Sequence, residues 1–396
     1  MKLLRTSAEN GLRTIFAALF LAFIAVFALL LAPKLDVQNI RESAAVFPVK
    51  KRFVELNGAC CRLVGRRLCN GVVKTDDGLL VKPSAPRLLG QDVAASRFAD
   101  WLRAQGIEYV YVQFPSKMDL RSELRQPCMV HSAYRTVDVL LNGMAQGGVE
   151  TLDLREDLAA DPDLVRRFFY RTDHPWNNDA VFRSFTRIAA RLGHEVKESD
   201  WTRTVVPKCF LGSEGRRTGR LFSGLDDMIL YRPGFATEMS LDIPSAHVHL
   251  VGDFERTNMR NASKLRPGKA DTRAYSEAYV GEIAPTVRHR NDSAPVRRRV
   301  LVIGDSFVRP LEAFLSTVVT DICVVDPRRY REMTIADCVR SIKPDIVLQM
   351  QNPSVLSARG EDDEDGESSG LPVFFSYGIP GESEISPARD GGRSGM

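Results

Sequence analysis

The chain has 396 residues, of which 44% are hydrophobic, and its formal net charge is +4 at pH 7. This length and apolar content predict either one large α/β domain with insertions or two domains of average size. Lysine and arginine are scattered along the chain, and no basic segment with interleaved aromatic residues occurs, which argues against a nucleic-acid-binding protein.

An unbroken apolar run, IFAALFLAFIAVFALLLA, occupies residues 15–32. As a helix it covers about 27 Å, close to the ~30 Å hydrocarbon core of a bilayer. We therefore predict a cytoplasmic amino terminus at 1–14, a transmembrane anchor at 15–32 and a linker at 33–52. The basic residues before the run place the main domain outside the cytoplasm, as a single-pass cell-membrane protein. A cleaved secretory signal is the alternative.

Beyond the anchor, apolar periodicity alternates between helical and strand patterns. The elements predicted in chain order are short strands between 33 and 90, a helix at 92–105, a strand at 107–115, a helix at 135–144, a strand at 149–154, a helix at 180–192, a strand at 300–303, a helix from 310, a strand at 322–325, a helix at 334–341 and a strand at 346–350. This alternation is typical of an α/β fold with a mostly parallel sheet.

These elements define one domain at residues 53–356. The interval 206–296 is rich in Gly, Arg and turn signals and is predicted as an insertion. The acidic, Gly/Ser-rich residues 357–396 are predicted as a disordered tail, because such a composition buries too little apolar surface to order itself.

The apolar run Val300 to Ile303 ends at Gly304, and Asp305 and Ser306 follow directly. Ser306 should therefore lie in the turn at the carboxyl end of a buried strand, where open α/β sheets place their chemistry. A serine there can attack a substrate while backbone N–H groups face the developing oxyanion. The alternative is an ordinary Asp-Ser turn that caps the next helix.

A second polar group lies upstream, where Asp173, His174 and Trp176 fall within four residues. A carboxylate beside an imidazole can orient a general base. The alternative is a structural histidine with a hydrogen-bonded neighbour.

Together these segments resemble the DHHW family of SGNH-hydrolase-like proteins, which is similar to the alginate-type proteins of bacterial polysaccharide O-acetylation. The resemblance spans roughly residues 50 to 356. It rests on six segments: Tyr170–Trp176, Phe210–Gly219, Gly224–Leu230, Gly304–Phe307, Asp326–Tyr330 and Asn352–Ser354. It implies a flavodoxin-like SGNH three-layer sandwich that transfers acetyl groups to a cell-surface polysaccharide, commonly from a membrane-bound acyltransferase partner.

The resemblance also implies the site. Ser306 matches the nucleophile, Asp173 matches the carboxylate, and His174 is provisionally the imidazole. Further side chains are assigned to the oxyanion or to substrate binding: Asn352, Arg328 and Trp176. Such chemistry needs no metal and no organic cofactor.

The histidine departs from the family pattern. In the related alginate proteins the pair is Asp-x-His-Trp, so Pro175 stands where the catalytic histidine is expected and His174 fills the variable position. In an extended segment, Asp173 and His174 would face opposite ways. Three interpretations follow: His174 enters from a kinked loop, His247 or His249 supplies the imidazole, or acyl transfer has been lost.

The sequence thus predicts a membrane-anchored O-acetyltransferase or acetyl esterase that uses a serine acyl-enzyme. The alternative hypothesis is a non-catalytic module, on a degenerate SGNH fold, that binds a glycan or a partner protein.

Overall fold

The computed structural model describes residues 47–82, 88, 90–117, 132–156, 167–272, 278–281, 284–330, 332–351 and 373–380. The predicted anchor at 15–32 and Asn352 lie outside these ranges. Among the helices in these ranges, none is both long and apolar enough to cross a membrane.

The described strands are β1 (Leu68–Cys69), β2 (Val72–Lys74), β3 (Leu80–Val81), β4 (Glu108–Gln113), β5 (Glu150–Asp153), β6 (Trp201–Phe210), β7 (Asp226–Pro233), β8 (Met239–Ile243), β9 (Val248–Gly252), β10 (Thr286–Arg290), β11 (Val296–Gly304), β12 (Val319–Val325) and β13 (Ile346–Gln351). The described α-helices are α1 (Phe47–Leu63), α2 (Gln91–Arg103), α3 (Ser132–Gln146), α4 (Asn178–Arg191), α5 (Ser213–Thr218), α6 (Arg220–Ser223), α7 (Phe254–Asn258), α8 (Arg309–Leu315) and α9 (Ile335–Ile342).

Eight strands form the central sheet, in the order β5-β4-β13-β11-β12-β10-β8-β9. The five strands from β5 to β12 in this order are parallel, and β10, β8 and β9 extend the sheet with antiparallel pairs. The prediction of a mostly parallel sheet is therefore confirmed. β11, which leads to Ser306, lies between β13 and β12 in the interior of the sheet.

Side chains of β11 alternate between two hydrophobic cores. Val300 and Val302 belong to the core that also contains Phe182 of α4 and residues of α8, whereas Leu301 and Ile303 belong to the core lined by α2, α3 and α9. Helices thus cover both faces of the sheet, giving three layers. Burial on both faces explains why this strand is a continuous apolar run instead of an alternating one.

The interval 206–296, predicted as an insertion on the same domain, contributes β8, β9 and β10 to the central sheet. Residues of β10 alternate in burial: Val287 and His289 are buried, while Arg288 and Arg290 are exposed. Because arginines occupy the exposed face of β10, the strand has no continuous apolar run that would indicate it in the sequence. β6 and β7 pair separately as an antiparallel hairpin.

Residues 47–63 were predicted as linker and short strands, but they form helix α1. Its Cys61 packs with Cys69, Val72, Leu80 and Phe222 in a small hydrophobic cluster apart from the two main cores. Because α1 buries so few large side chains, its sequence carries a weak helical pattern.

The prediction of a disordered tail at 357–396 is wrong for residues 373–380. Tyr377 stacks on Phe98 of α2 with ring centroids 4.0 Å apart, and its hydroxyl donates to Oε1 of Gln349 at 2.8 Å. Nε2 of Gln349 in turn donates to the carbonyl of Phe374. Buried aromatic rings therefore fix this segment, although the acidic composition around it suggests disorder.

Replacing Tyr377 with alanine is expected to lower the free energy of unfolding by about 3–5 kcal/mol, because it empties a buried aromatic site. Tyr377→Phe keeps the ring and should cost about 1 kcal/mol for the lost hydrogen bond. Chemical denaturation measures both. Ser376→Ala, at an exposed position in the same segment, is the control. Equal stability of Tyr377→Ala and the wild type would show that this segment does not pack on the domain.

Candidate active site

Ser306 begins a short 3-10 turn, Ser306–Val308, immediately after β11. The side chain of Asp305 caps this turn by accepting a hydrogen bond from the backbone N–H of Phe307 at 2.9 Å. Phe307 and Val308 are buried, whereas Ser306 is partly exposed. Its hydroxyl has no hydrogen-bond partner among the described residues. The Asp305 cap is thus present, and it leaves the serine hydroxyl available.

The side chains of Asp173 and His174 contact each other, although consecutive residues of an extended segment would face opposite ways. Nδ1 of His174 lies 3.1 Å from Oδ1 of Asp173, and the backbone N–H of His174 donates to the same oxygen at 3.0 Å. The chain bends continuously through residues 171–175 and forms no extended strand there. Of the three interpretations of the histidine, the kinked loop is the one that matches this geometry.

Ser213, at the start of α5, holds the same pair. Its hydroxyl donates to Oδ1 of Asp173 at 2.5 Å and lies 3.0 Å from Nδ1 of His174 and 3.0 Å from Oε2 of Glu214. Because the single hydroxyl proton is directed toward carboxylates, we assign the proton of neutral His174 to Nδ1. Nε2 is then the basic nitrogen of the ring.

The two carboxylates of this group have opposite pKa shifts. Burial pushes the pKa of Asp173 upward, but the hydrogen bond and charge of His174 and the donors of Ser213 outweigh it and lower the pKa to about 2. Burial raises the pKa of Glu214, although the charges of His174 and Lys117 oppose the rise. Asp173 is therefore ionised at neutral pH and can stabilise an imidazolium.

Asp226, the first residue of β7, fixes the backbone before Asp173. Its Oδ2 accepts hydrogen bonds from the N–H and the hydroxyl of Thr172, at 2.8 and 2.6 Å. Thr172 Oγ1 accepts a further bond from the N–H of Gly212 at 2.8 Å. A Cβ on Gly212 would lie 2.1 Å from Cβ of Asp173, so only glycine allows this approach.

Lys117 is almost fully buried and contacts the backbone of the segment that leads to Asp173. Its ammonium donates to the carbonyls of Leu80 and Arg171, at 2.9 and 3.3 Å. Burial lowers the pKa of Lys117, and the charges of Glu214, Asp226 and Asp173 oppose that change. The lysine thus offsets part of the negative charge that these carboxylates place in the interior.

Aromatic side chains pack between the segment that contains Asp173 and His174 and the turn that carries Ser306. The ring of His174 lies 5.3 Å from the ring of Phe307, the residue after Ser306. Phe114, just beyond β4, contacts both sides, with its ring 6.5 Å from Phe307 and 4.3 Å from Trp176. The imidazole and the serine turn are therefore neighbours on the carboxyl-end side of the parallel strands.

Other predicted site residues have different positions. Trp176 is fully buried in the core, so its side chain supports the site from within, and its assignment to the oxyanion or substrate stays a prediction. Arg328 holds Asp326 through Nε and Nη2, at 3.0 and 2.9 Å, and its guanidinium lies over the ring of Phe374. Its substrate-binding role stays a prediction.

The other candidate imidazoles are remote. His249 is in β9, at the edge of the sheet and four strands from β11, which corresponds to about 19 Å at ~4.8 Å per strand. His247 precedes that strand in a left-handed conformation. Neither histidine therefore reaches the turn at Ser306.

Asp173, His174 and Glu214 also have potential metal-ligand atoms within 4.8 Å of one another. Oδ1 of Asp173 already accepts three hydrogen bonds from His174 and Ser213. The contacts among these groups are therefore satisfied by protein donors, which favours a hydrogen-bonded network over a cation site.

The sequence reasoning missed four residues of this network: Ser213, Glu214, Asp226 and Lys117. The first three lie inside segments that carry the family resemblance, which was the available signal. Lys117 follows the proline that ends the predicted strand 107–115, and nothing in its local sequence indicates a buried charge.

The low pKa of Asp173 predicts a pH effect on stability. Its ordinary pKa is 3.8, so it stabilises the folded state fully above that pH and loses the contribution as pH falls toward about 2. The contribution is on the order of 2 kcal/mol. Asp173→Asn should therefore flatten the fall in unfolding free energy between about pH 4 and about pH 2, whereas the exposed Glu195→Gln should retain the wild-type slope. Identical slopes for Asp173→Asn and wild type would contradict the assignment.

Comparison with known proteins agrees with this architecture. Residues 75–210 match the family model of the SGNH hydrolase-like domain of the acetyltransferase AlgX. No curated protein sequence matches the chain. The structure of Bacillus cereus PatB1 is similar, with a TM-score of 0.62 and 19% identity over 77% of this chain and 99% of that one.

Two further solved structures are similar. PatB1 with a sulfonyl adduct gives a TM-score of 0.60 and 19% identity, over 73% of this chain and 98% of that one. A DHHW family protein from Eubacterium siraeum gives a TM-score of 0.56 and 15% identity, over 74% of this chain and 94% of that one. The chain therefore has an SGNH-like α/β fold and is similar to the DHHW and AlgX-type SGNH hydrolase-like proteins, which confirms the resemblance that its motifs indicated.

Proposed function

We propose that this chain is a membrane-anchored, extracytoplasmic O-acetyltransferase or acetyl esterase that acts on a cell-surface polysaccharide through a serine acyl-enzyme. One observation carries the proposal. The ring of His174 is held at Nδ1 by Asp173 and packs against Phe307, the residue after Ser306, whose hydroxyl has no hydrogen-bond partner in the described part of the chain. The match of residues 75–210 to an acetyltransferase domain supports the same chemistry.

In the first half-reaction, Oγ of Ser306 attacks the carbonyl carbon of an acetyl ester, and Nε2 of His174 takes the hydroxyl proton. Asp173 stabilises the imidazolium that forms. The imidazolium then gives the proton to the departing alkoxide, leaving an acetyl group on Ser306. In the second half-reaction, a glycan hydroxyl or water attacks the acetyl carbon and passes its proton to Nε2 of His174. The bond from the acetyl group to Oγ of Ser306 then breaks, and the imidazolium returns the proton to that oxygen, which restores the free serine and the neutral imidazole.

The oxyanion needs N–H donors at the end of β11. The amide of Ser306 is the first of the 3-10 turn, where an N–H has no partner within the turn. The amide of Phe307 is already bound to Asp305. We therefore assign one donor to Ser306 and keep the predicted Asn352 as the second.

The proposal includes an acetyl donor and a location. A membrane-bound acyltransferase partner would supply the acetyl group, and the predicted anchor at 15–32 would keep the domain near that partner and near the polysaccharide. The apolar run and the basic residues before it support this arrangement.

Ser306→Ala should reduce acetyl-ester hydrolysis by the purified full chain by on the order of a thousandfold or more, because the covalent intermediate cannot form. His174→Ala should lower the rate by about a hundredfold or more, the usual effect of losing a general base. Ser293→Ala, an exposed serine elsewhere, is the matched control.

A sulfonyl fluoride provides an independent readout, because it labels an activated serine without a glycan acceptor. Mass spectrometry should find the adduct on Ser306, and a chelator should leave the rate unchanged. Unaltered hydrolysis by a folded Ser306→Ala variant would refute the nucleophile. If the folded wild-type protein binds glycan but shows neither labelling nor turnover, the hypothesis of a non-catalytic binding module is correct. Pro175, in the position of the expected catalytic histidine, favours that hypothesis.

Ser213 acts through His174 and is therefore a positioning residue. Ser213→Ala should lower kcat by roughly tenfold with little change in KM, since it loosens the imidazole without touching substrate. Ser213→Thr, which retains a hydroxyl, should recover part of the rate. A change confined to KM would contradict this role.

A further inference from the structure

A basic cavity lies beside the small unit formed by α1 and the strands β1 to β3. Its volume is about 270 Å³. The side chains that line it and matter here are Arg62, Arg66, Arg67, Lys74, Asp76 and Phe222. The unit has its own hydrophobic cluster, and the lining of the cavity does not include Asp173, His174 or Ser306.

The positive charges of this cavity exceed its negative charge. Arg67 forms an ion pair with Asp76. Arg62, Arg66 and Lys74 have no carboxylate within ion-pair distance among the described residues. Arg62 donates to the carbonyl of Leu221 at 2.8 Å, a contact that orients it but does not neutralise it.

Among the basic side chains of this cavity, the ammonium of Lys74 is the most constrained. Its ammonium donates to the carbonyl of Phe222 at 2.9 Å and lies 5.2 Å above the centre of that ring. Burial lowers the pKa of Lys74, and the like charges of Arg171 and Arg62 lower it further. An anion in the cavity would relieve this repulsion, and three converging cations suit the oxygens of a phosphate.

The rim next to these charges is apolar and exposed. Leu63, Val64 and Leu68 are 87%, 67% and 49% exposed, and they lie in the same short stretch of chain as Arg62, Arg66 and Arg67. Aliphatic side chains beside basic ones are the pattern of surfaces that rest on anionic bilayers. A soluble anion or an acidic glycan would gain little from exposed leucine and valine.

We propose that this cavity binds the headgroup phosphate of an anionic phospholipid, while Leu63, Val64 and Leu68 enter the edge of the hydrocarbon layer. Helix α1 begins at Phe47, soon after the predicted anchor at 15–32, so a short linker would tether this unit to the bilayer if that anchor inserts. The N–H of Leu80 in β3 donates to the carbonyl of Arg171 at 2.9 Å, which connects the docked unit to the loop that carries Asp173.

The test uses the full chain in lipid nanodiscs, so that any anchor is present in every arm. Hydrogen exchange of residues 62–76 is compared between phosphatidylcholine alone and an equal mixture of phosphatidylcholine and phosphatidylglycerol. We expect exchange to slow by about fivefold or more with the anionic lipid, since each basic side chain near the surface contributes about this factor.

Two sets of variants separate charge from apolar contact. Arg62→Gln with Arg66→Gln and Lys74→Gln should abolish the difference between the lipids. Lys197→Gln with Lys264→Gln and Lys269→Gln, which removes the same charge at exposed positions elsewhere, should preserve it. Leu63→Ser with Val64→Ser changes two exposed side chains and should weaken the protection.

Equal exchange on both lipids would overturn the proposal. A second result would also overturn it. In that result, inorganic phosphate or an acidic oligosaccharide slows exchange of residues 62–76 as strongly as phosphatidylglycerol does, and the Leu63→Ser, Val64→Ser variant keeps the full protection by phosphatidylglycerol. Acetyl-ester hydrolysis by these variants in detergent should match the wild type, so the outcome is independent of the proposed catalytic function.

Discussion

The contact of Phe307 with His174 is the constraint on which the site depends. Phe307 is buried beside Phe114, and its amide is held by Asp305. The turn that carries Ser306 therefore cannot rotate without breaking a hydrogen bond and exposing an aromatic ring. β11 adds rigidity, because it lies in the interior of the sheet with both faces covered. The position of the serine is thus set by the core rather than by a free loop.

The histidine illustrates how a fold can retain a contact when the sequence spacing changes. Pro175 cannot act as a base because it has no ionisable group. The bends at residues 171–175 nevertheless bring consecutive Asp173 and His174 together, and Ser213 contacts both of them. Asp226 and the absence of a side chain on Gly212 allow that bent backbone to exist. The geometry belongs to several segments, so no single motif reveals it.

The parts of the fold that could be predicted are those in which burial leaves a simple pattern. β4, β11, β12 and β13 are apolar runs because helices cover both faces of the sheet. β10 escaped prediction because arginines occupy its exposed face, and α1 escaped because it buries few large side chains. The same limit applies to the site. Ser306, Asp173 and His174 stand in short recognisable segments, whereas Ser213 and Lys117 matter only through contacts between distant segments.

The stacking of Tyr377 on Phe98 has a consequence for biogenesis. One of the two main cores includes the ring of Tyr377, which follows its stacking partner Phe98 by almost three hundred residues in the chain. The side chain of Gln349 in β13 accepts one hydrogen bond from Tyr109 of β4, and its bonds to Tyr377 and Phe374 require that same late segment. Residues near the carboxyl terminus must therefore be synthesised before α2 and the sheet can be fully covered. Until then the nascent domain exposes apolar surface of the kind that promotes aggregation in partly folded chains.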